Sequence, residues 1–163
     1  EAGQTVNFGV VDDGSVVFVT QVEHALSQRA TARPGGRSPL HCSGIGKSLL
    51  AAMPDGRVRQ LLARHGMAKI TANSITDSDA FCEALRAVRS LGYALDDQEH
   101  TPGLRCVAST IFGEYGQPLA AISIAAGTAQ MGNQRIVELG RLVSQAAVAI
   151  TAATGGHRPA FGG

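Results

Sequence analysis

Apolar and polar positions alternate with a period of two near the start of the chain. Val6, Phe8 and Val10 stand out between Thr5 and Asp12, and Val17 and Val19 between Ser15 and Val22. Side chains two apart share one face of a strand, so both runs predict strands. Between them lies Asp13-Gly14, a dipeptide suited to a type I′ turn, whose central residues both need positive φ. A two-residue loop there predicts Val10 opposite Val17 and Phe8 opposite Val19, on one apolar face. A weaker strand signal follows around Gln28 to Ala32. Next comes Arg33-Pro34-Gly35-Gly36-Arg37-Ser38-Pro39, a loop by composition, whose paired glycines make it a candidate for mobility.

From Ser43 the period lengthens. Ile45, Leu49 and Met53 recur at helical spacing until Pro54, which cannot continue the run. A short helix is expected from Gly56 to Arg64, stopped by Gly66. A clearer one follows Thr76-Asp77, with Phe81, Ala84, Leu85, Val88 and Leu91 in one stripe and Gly92 closing it. Tyr93 to Asp96 reads as extended. Leu104 to Phe112 and Pro118 to Ala126 form a second hairpin around Gly113-Glu114-Tyr115-Gly116. The last helix should run from about Asn133 to Ala152, with Ile136, Leu139, Val143, Ala146, Ala147 and Ile150 inward. Residues Gly155 to Gly163 read as a disordered tail. Hairpin-joined strands with helices between them predict one α+β domain, residues 1–154, with a mostly antiparallel sheet flanked by helices.

Composition narrows the function. The 163 residues suffice for one core, but aromatic content is only 4%, so that core must be built from Ala, Val, Ile and Leu. A formal net charge of +1 argues against a surface that grips nucleic acid by itself. No run of about 18 apolar residues predicts a membrane span, and Glu1-Ala2-Gly3-Gln4 does not resemble a signal peptide. The cysteines Cys42, Cys82 and Cys106 are irregularly spaced with no CxxC pair. That fits a reducing cytoplasm better than a disulfide framework or a zinc site.

Chemistry could sit in two places. Ser43-Gly44-Ile45-Gly46-Lys47-Ser48 contains Gly-Lys-Ser, but a phosphate loop needs glycine where His41 stands. Glycines at a helix start still leave N–H groups exposed, and the helix dipole favours an anion there. The alternative is that Gly44 and Gly46 only permit close packing. Asp96-Asp97-Gln98-Glu99-His100 is the second place. Its spacing matches no metal pattern, so no metal and no cofactor is expected. Cys106 with His100 could form a nucleophile and base, although a cysteine in an apolar strand is more simply a small buried hydrophobe.

The second hairpin allows a sharper expectation. A loop of two or four residues puts Cys106 opposite Ser123 and Leu104 opposite Ala125, all on one face. A loop of three would separate Cys106 from Ser123. Leu119, Ala121, Ser123 and Ala125 are small for strand positions, which leaves room for a ligand cavity. A tight helix-on-sheet contact is the other reading.

In these segments the sequence resembles a known family. Pro39-Leu40-His41-Cys42-Ser43-Gly44-Ile45-Gly46-Lys47-Ser48-Leu49-Leu50-Ala51, Gly92-Tyr93-Ala94-Leu95-Asp96-Asp97-Gln98-Glu99-His100, Gly103-Leu104-Arg105-Cys106-Val107-Ala108 and Ala120-Ala121-Ile122-Ser123-Ile124 are similar to the C-terminal effector-binding domain of IclR-type bacterial transcriptional regulators. The likeness runs from about Thr5 to Thr154 and implies a GAF-like fold. It also implies an N-terminal winged helix-turn-helix domain, which this chain is expected to lack, so that DNA would be met only through that missing domain. Self-association as a dimer or tetramer, a cytoplasmic location and no membrane partner are further implications. The implied ligand is a small carboxylate effector, held by main-chain N–H groups at Gly44 and Ile45 and by the side chains of Asp96, Cys106 and Ser123. Leu104 would line the same cavity. A second serine of the family pattern falls on Ala125, and the apolar contributors fall near Ser27, Ala30 and Ser38. These smaller or less polar residues imply a roomier pocket than glyoxylate or pyruvate needs, one suited to an aromatic or longer acid. The implied role is ligand sensing without catalysis. The rivals are a small cysteine- or metal-dependent enzyme using Cys106, His100 and Asp96, and a purely structural oligomerisation domain.

Overall fold

The computed structural model describes residues 4–23 and 32–160. Strands β1 (Thr5–Asp12) and β2 (Ser15–Val22) form the first hairpin. Asp13 and Gly14 both take positive φ, 41° and 75°, as a type I′ turn demands. Val10 pairs with Val17 as expected, but a register shift between Phe8 and Gly9 moves Phe8 from Val19 to Thr20. A bulge adds one residue to β2 there, and alternation alone does not reveal it.

That hairpin also buries the less apolar of its two faces. Thr5 and Asn7 are buried, whereas Val6, Phe8 and Val10 are half-buried. Thr5, Asn7 and Gly9 lie on the side that helix α1 (Gly44–Ala51) covers, and a Cβ on Gly9 would come within 3.1 Å of Ile45 Cδ1. Small residues on β1 thus let α1 sit close.

The segment expected to be a loop after Arg33 is partly a strand. Arg37–Pro39 forms β3, a three-residue edge paired antiparallel with β2. Hydrogen bonds from Phe18 N to Gly36 O (3.0 Å) and from Gly35 N to Phe18 O (2.7 Å) continue that pairing. A three-residue strand carries no periodicity of its own, so only its partner defines it. Apart from Ala32, the strand signal around Gln28 lies outside the described residues.

Helices α2 (Asp55–His65) and α3 (Ser78–Leu91) follow α1. Asp77 caps α3 through the Ala80 N–H (2.8 Å), and Gly92 ends it in the left-handed region at φ 82°. The α3 stripe stops short: Leu91 is 60% exposed, while Cys82 is buried beside Phe81 and Leu85. Next come β4 (Ala94–Asp97), β5 (Leu104–Phe112) and β6 (Pro118–Gly127), then α4 (Asn133–Ala153). The sheet order is β3-β2-β1-β6-β5-β4, with each neighbouring pair antiparallel. This is the α+β, GAF-like arrangement the sequence implies.

The β5–β6 register corrects one expectation and keeps its consequence. Cys106 pairs with Ala125, Ser123 with Ala108, and Leu104 with Gly127. Gly113 N donates to Gln117 O (2.9 Å), which leaves a three-residue turn, Glu114-Tyr115-Gly116. Such a turn alone would put Cys106 and Ser123 on opposite faces. A register shift between Ile111 and Phe112 restores the parity, so the two side chains share a face after all.

The sheet carries a core on each side. Ile45, Leu49 and Leu50 of α1 pack with Val58, Phe81, Leu85, Val16 and Phe18 on one face. Ile136, Leu139, Val143 and Ala147 of α4 pack on Val107, Ile111, Ile122 and Ile124 on the other. Ile150, expected inward, is 37% exposed. Thr151 takes the i+4 place after Ala147, and its hydroxyl accepts from the Phe112 N–H (3.1 Å). The tail is not loose where it is described. Gly156 N donates to Thr151 O (2.8 Å), His157 N to Gly113 O (3.2 Å) and Arg158 Nη2 to Arg89 O (2.8 Å), with description ending at Ala160.

Candidate functional site

The first turn of α1 is built for close approach. Ser43 caps the helix by accepting from the Gly46 N–H (3.0 Å). Residue 46 must be glycine, since a Cβ would stand 2.2 Å from Leu40 O. A Cβ on Gly44 would lie 2.9 Å from Cys106 Sγ, so the helix start rests directly on β5. The first N–H groups of a helix have no intrahelical partner and carry the positive end of its dipole. At Gly44 and Ile45 those groups border a cavity.

That cavity measures about 100 Å³, and Gly44, Ile45, Asp96, Leu104, Cys106, Ser123 and Ala125 all line it. The sheet brings them together: Asp96 comes from β4, Leu104 and Cys106 from β5, Ser123 and Ala125 from β6. Ser38 of β3 also lines it, while Ser27 and Ala30 lie outside the described residues. Sequence reasoning missed Asn7, Phe18 and Arg37, which complete the wall from β1, β2 and β3. Asn7 escaped because it sits between Val6 and Phe8, where alternation assigns the polar residue to solvent. No signal in the chain marks it as buried.

Two buried polar systems support the cavity. Gln21 Nε2 donates to Asn7 Oδ1 (2.9 Å), and Asn7 Nδ2 donates to Ser123 Oγ (3.4 Å). The Ser123 hydroxyl in turn reaches Cys106. On the other flank, Lys47 Nζ contacts Glu99 Oε1 at 2.5 Å and donates to Leu95 O (2.7 Å), with both charged side chains buried. The Glu99 N–H donates to Asp96 Oδ1 (2.8 Å), while Glu99 O accepts from Ser74 Oγ (2.7 Å) and Thr71 Oγ1 (3.1 Å). Lys47 therefore ties α1 to the loop that aims Asp96.

This geometry decides between the chemical readings. The Gly-Lys-Ser lysine is engaged with Glu99, and Ser48 Oγ bonds Thr110 Oγ1 at 2.6 Å. The motif fastens a helix to a sheet. Burial pushes the Cys106 thiol up to about 12, and the hydrogen bonds from Ser123 and Gly44 only partly oppose it. A thiol at that value is protonated at neutral pH and a poor nucleophile. His100 lines the cavity but bonds Thr101 Oγ1 through Nδ1 (3.0 Å). Burial lifts Asp96 from 3.8 to about 7, and the nearby Glu99 charge adds to the rise, against the pull of the Glu99 N–H and Lys47. Its carboxyl can therefore be neutral near physiological pH.

Residues 1–152 match the sequence family described as bacterial transcriptional regulator IclR, C-terminal. The chain belongs to that family. Among its relatives, the transcriptional repressor IclR of Escherichia coli K12 is 39% identical over 160 residues, 97% of this chain and 58% of that protein. The regulator BhcR of Paracoccus denitrificans is 39% identical over 145 residues, 89% of this chain and 52% of that protein. The IclR domain thus spans just over half the length of these relatives. Among solved structures, Thermotoga maritima IclR superposes with a TM-score of 0.89 at 28% identity, covering 94% of this chain and 62% of that one. The inducer-binding domain of the Acinetobacter transcription factor PobR, solved as a double mutant with 3-hydroxybenzoic acid, superposes at 0.80 with 25% identity, covering 91% and 87%.

Proposed function

We infer that this IclR domain is the sensor of a transcriptional regulator, and that it binds a small organic acid in the cavity beneath α1. The observation that carries the reading is that the first turn of α1, at Gly44 and Ile45, lines a small, mostly apolar cavity, with the Gly44 N–H turned to the Cys106 thiol on its wall, where a ligand oxygen would compete for it. A carboxylate bound there meets two donors and the helix dipole. Asp96 would then accept from a ligand hydroxyl or donate its own proton, since an ionised carboxyl beside a bound anion is repulsive. The named PobR complex with an aromatic acid supports the ligand class. Ala125 in place of a second serine favours an aromatic or longer acid over glyoxylate or pyruvate.

Regulation requires unequal binding to two arrangements of the whole protein. A coupling of about 1–3 kcal/mol is enough. In this reading DNA is bound by a preceding winged helix-turn-helix domain, the sensor self-associates as a dimer or tetramer, and the protein works in the cytoplasm.

A thermal-shift screen against pyruvate, glyoxylate, hydroxybenzoates and longer dicarboxylates tests the proposal. A true ligand at about 100 times its Kd adds roughly 2.7 kcal/mol to stability. The shift should disappear in Gly44→Ala, whose methyl meets Cys106 Sγ and levers the donors away. It should partly return in Gly44→Ala/Cys106→Ala. No shift with any acid would remove the sensor reading.

The segment from Arg33 to Pro39 is the proposed lid, because Gly36, Arg37 and Ser38 line the cavity and Gly35 directly precedes them. Limited proteolysis should cut near Gly35-Gly36 more slowly when a ligand is bound, and equal rates would remove the lid.

A further inference from the structure

Asn7 has a buried donor facing the cavity. Its residue is 3% exposed, lies opposite Ser123 across β1 and β6, and lines the cavity wall. Gln21 Nε2 donates to Asn7 Oδ1 at 2.9 Å, an arrangement in which the carboxamide oxygen faces β2 and the nitrogen faces Ser123 of β6. The oxygen is thereby used, and the NH2 group is presented to the site. An amide nitrogen carries two hydrogens. One is directed at Ser123 Oγ (3.4 Å), and the second has no acceptor among the described residues. A buried N–H left without an acceptor is unfavourable, and a ligand oxygen placed there would satisfy it.

Asn7 also stands apart from the proposed carboxylate position. Gly44 rests on Cys106 of β5, and β6 lies between β5 and β1. Neighbouring strands are about 4.8 Å apart, so the two positions are separated by roughly 10 Å of sheet. Between them, Ala125 offers a methyl group where a hydroxyl would have narrowed the path and supplied a polar contact. Beside that methyl, the Ser123 hydroxyl accepts from Asn7 and reaches Cys106, so a single hydroxyl links the two positions across the floor.

We propose that Asn7 is a specificity-determining residue, and that the effector is an acid carrying a second oxygen acceptor remote from its carboxylate, which the Asn7 NH2 group reads. This rests on the acid-sensor reading of the same cavity. Gln21 is the positioning residue: it holds the carboxamide so that a donor, and not an acceptor, faces the ligand. An acid of the right length without the remote oxygen enters but leaves the donor unsatisfied.

Isothermal titration of the chain with matched acids tests the assignment. The pairs are 4-oxopentanoate against pentanoate, 4-hydroxybenzoate against benzoate, and succinate against butanoate. In the wild type at least one oxygenated member should bind about tenfold more tightly than its partner, as one buried hydrogen bond implies. Asn7→Leu should abolish that preference while keeping affinity for the plain acid. Gln21→Leu, which removes nothing from the cavity wall, should reduce the preference by allowing the amide to turn. It serves as the second test if Asn7→Leu does not fold. A preference that survives in folded Asn7→Leu, or that is undiminished in Gln21→Leu, overturns the role of Asn7 and leaves the sensor reading intact. So does equal binding of each pair by the wild type. Failure of every acid to bind the wild type overturns both.

Discussion

Lys47→Met should destabilise the fold by about 3–5 kcal/mol, the cost of leaving a buried charge without its partner. Methionine matches the length of the lysine stem and keeps its packing, so the loss isolates the ammonium. Glu99 would then hold a carboxylate that is 5% exposed, with Oε1 bereft of Lys47 and Oε2 already lacking a partner among the described residues. Leu95 O would lose a donor as well. Urea unfolding at pH 7 measures the loss. Removing both charges in Lys47→Met/Glu99→Met should recover most of it, because the penalty lies in the orphaned charge more than in the pair. A single-variant loss below about 1 kcal/mol, the scale of an exposed pair, would mean that water reaches this pair and that it does not clamp α1 to the β4–β5 loop.

That clamp illustrates what a linear reading of the chain can and cannot find. Local signals sufficed for the hairpin turn at Asp13-Gly14, the stops at Gly66 and Gly92, and both ends of β5. Each depends on residues within a few positions of one another. β3 is defined only by its partner, and the pairing of Cys106 depends on a bulge at Ile111 that leaves no mark in the pattern of side chains. Of the site, the residues on the family motifs were legible, and the sheet gathers all seven around one cavity. Lys47 and Glu99 both lie in those motifs, yet 52 positions separate them, and only folding shows that they meet. Asn7 was hidden for a different reason. Strand alternation sends polar residues outward, and here the polar face of β1 is the buried one because the site needs it.

Asp96→Asn should make the ligand-free protein more stable at pH 8 and leave it nearly unchanged near pH 4. Burial raises the Asp96 carboxyl from 3.8 to about 7 in the folded chain. Between those values the native state binds a proton that the unfolded state has released. The stability that this proton contributes is complete below about pH 3.8. It is lost as pH rises through about 7, beyond which the cost of a buried anion levels off. A displacement of that size corresponds to about 4 kcal/mol at most. Asparagine keeps an oxygen to accept from the Glu99 N–H and has no charge to desolvate, so its stability should not follow this slope. The groups around the carboxyl supply the rest of the field: Glu99 and Lys47 from the clamp, with Cys42 and Cys106 kept as thiols by burial. Urea midpoints of both proteins at half-unit steps from pH 4 to 8.5 give the difference curve. A curve that rises through this window and flattens above pH 7 is the expected result. A flat one would place Asp96 in water, and an anion bound at Gly44 and Ile45 would then face a full negative charge across the cavity.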